Sequence, residues 1–315
     1  MRTRLPFAVI AAALACSLFT VSAYARARVF VASYGNDSNP CTFGSPCKTF
    51  QVAVNAVDTG GEVTVIDSAG FGPIIINKAV VVTSPAGVEA GIVPTSGGDG
   101  ITIAAASTDT IVLRGLTLEG NATSNHAINV TAAGNVEIYN CAIRNFASEG
   151  IVVQSSTLIS VLISETVVSD VTANSVAGIF FIPTASGANI TAALDKVTIH
   201  NNFIGVWADA SNAPIELQIT NSHFDNNTRG IELAGGSLSL PANAYLKNVT
   251  IDVNQGSTGI YMLEHVSTYI SQVTITPETA LGIDFKDGVN EVFSDGTSHF
   301  GLVGGIVTFG SWTVH

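Results

Sequence analysis

A Gly-Ile-like dipeptide recurs along this chain and constrains the fold more than any other feature. It stands at Gly100-Ile101, Ala127-Ile128, Gly150-Ile151, Gly178-Ile179, Gly205-Val206, Gly230-Ile231, Gly259-Ile260, Gly282-Ile283 and Gly305-Ile306, about one every 26 residues. A fixed period of that length marks a repeat array. Between these landmarks runs a second signature: LRGLTLEG from Leu113, IYNCAIRN from Ile138, ISETVVSD from Ile163, LDKVTIHN from Leu194, ITNSHFDN from Ile219, LKNVTIDV from Leu246 and ISQVTITP from Ile270. Each has an apolar start, two turn-like residues and a short alternating strand. One coil therefore reads as a strand, a bend, a second strand and a longer loop. No coil can bury its apolar side alone, but coils stacked about 4.8 Å apart form parallel sheets around a continuous interior. Asn140, Asn221 and Asn248 fall at one equivalent bend, where asparagine tolerates left-handed backbone and its amide can bond the next coil.

Composition agrees. The 315 residues are 47% hydrophobic and only 11% charged, where about 25% charged is usual. Beyond the N-terminus no long uncharged apolar run occurs, so the remainder holds no membrane-spanning helix. Scarce Lys and Glu argue against long surface helices. A net charge of −12 leaves no electrostatic footprint for nucleic acid. Residues 1–25 carry Arg2, Arg4, an apolar stretch from Phe7 and Ala23-Tyr24-Ala25, the pattern of a secretory signal peptide. The expected location is secreted or periplasmic; the alternative, an uncleaved anchor, is opposed by Ser17 and Ser22 breaking the stretch. Cys41 and Cys47, in the loop NPCTFGSPC, are close enough to pair in an oxidising compartment. Cys141 lies in an alternating strand and reads as a buried small hydrophobe.

The segment VFVASYGNDSNPCTFGSPCKTFQVAVNAV (Val29 to Val57), followed by these repeats, resembles the right-handed parallel β-helix proteins of the pectate-lyase-like superfamily. The resemblance implies an all-β solenoid with an N-terminal capping helix. The expected organisation is a signal peptide (1–25), an opening strand, disulfide loop and capping helix (26–62), and coils (63–315). Independently of family, Phe50, Val54 and Val57 share one helical face behind Thr49 as cap. The resemblance also implies a polysaccharide or cell-surface glycan as partner, with calcium as a cofactor only if the activity is that of a lyase. The Asn-Thr-Asp, Asp-Asp, Gly-His-Gly and Arg-Ile-Lys motifs of polygalacturonase-like members are absent, so enzymatic activity stays open.

Strand alternation predicts an outward column of Thr102, Asn129, Val152, Phe180, Trp207, Glu232, Tyr261, Asp284 and Val307. Phe180, Trp207 and Tyr261, with Asp209, are the expected substrate contacts, since aromatic faces pack on sugar rings. Glu232, Asp284, Arg229 and Lys286 are the candidate catalytic groups. Two coils separate Glu232 from Asp284, about 9.6 Å, near the upper limit for inverting glycoside hydrolysis. A second column reads Glu119, Arg144, Ser169, His200, Asp225, Asp252 and Thr276, with His200 beside Asp225, and its reading is a solvated face. No metal ligand is assigned. Two function classes follow: a protein that binds or cleaves an extended polysaccharide along the Gly-Ile face, and a non-catalytic surface or periplasmic scaffold of adhesin type.

Overall fold

The computed structural model describes residues 27–237, 239–276, 281–286, 290–304 and 308–311. The expected signal peptide, the Gly305-Ile306 landmark and Val307 lie outside them. The described chain is a right-handed parallel β-helix, and every strand pairing in it is parallel apart from two isolated bridges. Among the described residues no helix is long and apolar enough to cross a membrane.

Each coil has three strands where the sequence predicts two. Ile101–Ala104, Thr110–Arg114 and Leu116–Glu119 make one coil, and Ile128–Ala132, Asn135–Tyr139 and Ala142–Arg144 make the next. The extra strand lies before the bend, and only its last residues were visible in the LRG-type signature. Three sheets result: the Gly-Ile sheet, a second sheet ending at the sharp bend, and a third sheet beginning after it. The interior is filled by one contiguous cluster that includes Ile101, Ile128, Ile151, Ile179, Val206, Ile231 and Ile260.

The bends explain the asparagines. Gly115, Asn140, Glu165, Lys196, Asn221, Asn248 and Gln272 occupy the first bend, all with φ between 50° and 70°. Asn248 Nδ2 donates to Asn221 Oδ1 at 2.9 Å, as the ladder reading expects, but Glu165 and Lys196 interrupt the run below. A second, unforeseen ladder follows the third sheet. There Asn201 Nδ2 donates to Asp170 at 3.2 Å and Asn226 Nδ2 to Asn201 at 2.6 Å. Beside it, fully buried Asn227 accepts from Asn202 Nδ2 at 3.0 Å.

The N-terminal helix Phe50–Ala56 forms with Thr49 accepting from the Val52 N–H at 3.4 Å, as expected, but it ends one residue short of Val57, which is the C-cap in extended backbone and not part of the helical face. Phe50, Ala53 and Val54 are buried on its inner face, and Phe50 packs on Phe71 with ring centroids 5.1 Å apart. The strand Arg28–Val31 pairs with Gly61–Val65, and Cys41 and Cys47 are disulfide-bonded. Cys141 is buried, and burial pushes its thiol up to about 11, which keeps it protonated and unreactive.

The glycine of the dipeptide is dictated by space. A Cβ at Gly205 would lie 2.5 Å from the Gly230 carbonyl oxygen and 2.9 Å from the Phe224 ring; one at Gly230 would lie 2.6 Å from the Gly259 oxygen. Each glycine lets the next coil's carbonyl and an inward side chain approach. Gly205→Ala is therefore expected to cost about 1–3 kcal/mol as an overpacked site. Gly44→Ala, where an added Cβ meets nothing within 4 Å, is expected to stay within about 0.5 kcal/mol. Equal denaturation midpoints for the two variants would contradict this origin of the repeat.

Candidate functional site

Strand register lays out the Gly-Ile face. Thr102, Asn129, Val152, Phe180, Trp207, Glu232, Tyr261 and Asp284 are successive partners on adjacent coils, in the predicted order. Asp284 then pairs with Gly304 through a register shift. Val152, Glu232 and Asp284 hold their register in the column but depart from the outward expectation in exposure, all three being buried.

The column brings most of the candidate groups together. Phe180 and Trp207 stack at 4.3 Å with ring planes 21° apart. Both are half-buried, and the Trp207 Nε1 donor is buried without a hydrogen-bond partner among the described residues. On the next coil Arg229 Nη1 donates to Glu232 Oε2 at 2.6 Å. Its guanidinium lies 4.2 Å from the centroid of the Tyr261 ring. From the following coil Lys286 Nζ reaches 5.7 Å from the same ring and pairs with Asp284 at 3.1 Å. Tyr261 thus receives a cation from each side, a favourable use of its π-face.

Glu232 is 4% exposed and Asp284 7%. Burial raises the Glu232 carboxyl above its ordinary range, Arg229 opposes that shift, and the nearby Asp209 charge adds to it. Asp209, two residues beyond Trp207, accepts from the Ser211 amide at 3.0 Å. The four charges form two ion pairs joined through one aromatic ring. Such a cluster can take an anionic or hydroxyl-rich ligand by exchanging partners. Calcium takes 6–8 oxygens, and the two carboxylates of the column, Glu232 and Asp284, are each paired with a cation.

The same face carries a cluster that the sequence analysis passed over. Asp99, His126 and Glu149 are the residues immediately before three successive Gly-Ile landmarks, so reading one position upstream would have found them. His126 Nδ1 lies 2.7 Å from Asp99 and Nε2 3.1 Å from Glu149. Asn129 Nδ2 donates to Asp99 at 2.8 Å, and Gln154 Nε2 to Asn129 at 2.8 Å. Arg229 occupies the same upstream position three coils beyond Glu149.

The second column is also in the predicted register. Arg144 pairs with Glu119 at 2.5 Å. His200 is the register partner of Asp225, but the imidazole that approaches a carboxylate is His223, with Nε2 3.6 Å from Asp252. One ligand atom each from His223, Asp225 and Asp252 lie within 4.8 Å of one another, solvent-facing on the third sheet.

Burial works against charge on His126, but the hydrogen bonds it donates to Glu149 and Asp99 outweigh it and hold its pKa above the ordinary 6.5. A group whose folded pKa is raised contributes fully below its unfolded value and loses that contribution as pH rises through the folded one. The melting midpoint is therefore expected to fall as pH rises from the ordinary histidine range, and His126→Gln to flatten that fall. A wild-type midpoint unchanged across the range would count against a charged His126 held between Asp99 and Glu149.

Comparison with known proteins places the fold. No curated protein matches the chain. Among solved structures it is similar to pectate lyase Pel9A, with a TM-score of 0.64 and 14% identity over 91% of this chain and 78% of that one. Weaker likenesses are a rhamnogalacturonan lyase (0.49, 12% identity, 81% and 84% covered) and a polygalacturonase from Erwinia carotovora ssp. carotovora (0.48, 13%, 82% and 92%). The family model described as the right handed beta helix region matches residues 62–240, more than half of the chain and a span that includes the stacked Phe180 and Trp207, and the protein belongs to that family.

Proposed function

We propose that the protein is exported and binds an extended polysaccharide along the Gly-Ile face. The observation that carries this reading is the column itself: Phe180, Trp207, Glu232, Tyr261 and Asp284 stand on consecutive coils, so contacts repeat along the axis as they do along a polymer. Phe180 and Trp207 supply the apolar ring surface. Arg229 and Lys286 supply cations beside it, which favours sugars bearing carboxylates: a uronate can take the guanidinium in the bidentate geometry that carboxylates prefer. The disulfide between Cys41 and Cys47 and the signal-like segment support export. The solved structure of highest overlap quoted above is by name a lyase acting on pectate, itself an acidic polysaccharide.

Binding is favoured over cleavage. Glu232 and Asp284 stand two rungs apart, about 9.6 Å at the strand spacing, and each is held by its own cation, so neither is poised as a free base. Glu232, raised by burial, is the group to act as an acid where cleavage occurs. A scaffold without a glycan ligand is the competing class.

The test is a screen of the purified protein against polygalacturonate, alginate and neutral polysaccharides, with and without calcium. Bound polymer, reducing ends and the absorbance of unsaturated uronates are followed together. Retention on an acidic polymer is expected, falling about tenfold or more in Trp207→Ala, equivalent to about 1.4 kcal/mol. Arg229→Gln is expected to weaken binding and reduce its salt dependence. No retention of wild type on any polymer sinks the reading in favour of the scaffold; product release adds catalysis to it.

A further inference from the structure

Away from the Gly-Ile face, the second sheet carries a hollow of about 700 Å³, within the range of small-molecule sites. Two outward columns two residues apart build it. One reads Ala193, Gln218, Tyr245, Tyr269 and Phe293 on successive coils; the other reads Thr191, Glu216, Asn243, Ser267 and Glu291. The hollow opens where the first column changes from small Ala193 to the tall rings of Tyr245 and Tyr269, all three of which line it. Phe293 stacks on Tyr269 at 4.8 Å and 13°, which fixes that ring from behind. Asn243 Nδ2 donates to Glu216 Oε1 at 2.8 Å, so the polar column is held in place as well.

We propose that this hollow is a second glycan site, selective for neutral sugars. Aromatic walls beside amide, hydroxyl and carboxylate groups on a rigid sheet match a sugar ring, which has an apolar face and a rim of hydroxyls. The choice of neutral sugar rests on charge. Among the described residues no Lys, Arg or His lines the hollow, and Glu216 is the one acidic residue that does; an anionic sugar would meet a carboxylate and no cation. The Gly-Ile face has the opposite character, with Arg229 and Lys286. The two faces would thus read two chemical classes of sugar, and the second site does not depend on the first.

Isothermal titration of the full chain with cellohexaose, xylohexaose and mannohexaose, against hexagalacturonate as the acidic probe, tests this. At least one neutral hexamer is expected to bind. Its affinity should fall at least tenfold in Tyr245→Ala and in Glu216→Gln, and stay within twofold in Trp207→Ala. Circular dichroism and melting curves establish that each variant is folded, and Glu216→Gln guards against a tyrosine variant that fails to fold. Absence of binding by all three neutral hexamers overturns the proposal. So does neutral binding that survives both substitutions in the hollow, or that is lost in Trp207→Ala alone. Hexagalacturonate binding lost in Trp207→Ala but kept in Tyr245→Ala bears only on the Gly-Ile face, so failure of either site is recognised separately.

Discussion

Among the described residues the strands find their backbone partners on adjacent coils, and that single requirement governs the rest. Main-chain donors and acceptors buried in the stack must be paired, so each strand runs in register with its neighbours, and the shifts fall at irregular points such as Asp225 to Arg229. Equivalent positions then line up at the strand spacing. At the start of the Gly-Ile strand the line admits only small residues, because a Cβ would press on the next coil's carbonyl, 2.5 Å away at Gly205 and 2.7 Å at Gly259. At the first bend the chain must pass through left-handed backbone, which costs an ordinary L-residue about 1–2 kcal/mol and asparagine or glycine less. The asparagines at 140, 221 and 248 and the glycine at 115 follow from that cost. Glu165 and Lys196 adopt the same conformation, and their exposed contact at 3.5 Å offsets little of it.

The same alignment turns sequence into surface chemistry. A residue type at one position of the repeat becomes a row along the axis, and the row's character depends on what successive coils place there. On the Gly-Ile face the row runs from amides through aromatics to paired charges. One position upstream, Asp99, His126 and Glu149 make a row that alternates in charge when the imidazole is protonated, so stacking becomes attractive where like charges would repel. The second sheet brings tyrosines beside a polar row with no cation. The faces differ although the backbone path is nearly the same.

Much of this was legible because the repeat is itself a sequence property. The spacing of the Gly-Ile landmarks gave the coil length, alternation gave both outward columns in correct register, and Thr49 with Phe50 and Val54 gave the capping helix. Less was legible where no single residue type marks a position. The second-sheet strands vary from TIVLR to NITAALD and precede the bend that drew attention, so a third of each coil was missed, and with it the tyrosine-lined hollow. The Asp99, His126 and Glu149 cluster stood in plain view beside the landmarks, but its residues lie about 25 apart and share no chemical type. The burial of Val152 and Glu232 was hidden for another reason: alternation says which side of a strand a residue takes and nothing about what covers that side.

The central claim is that the aligned column on the Gly-Ile face forms one continuous ligand track. A crystal structure of the protein grown with hexagalacturonate tests it most directly. The sugar chain is expected to lie along the solenoid axis on that face, against the Phe180 and Trp207 pair, with a carboxylate at Arg229. A chain bound on another face, or crossing the coils at right angles without touching Trp207 or Arg229, would contradict it.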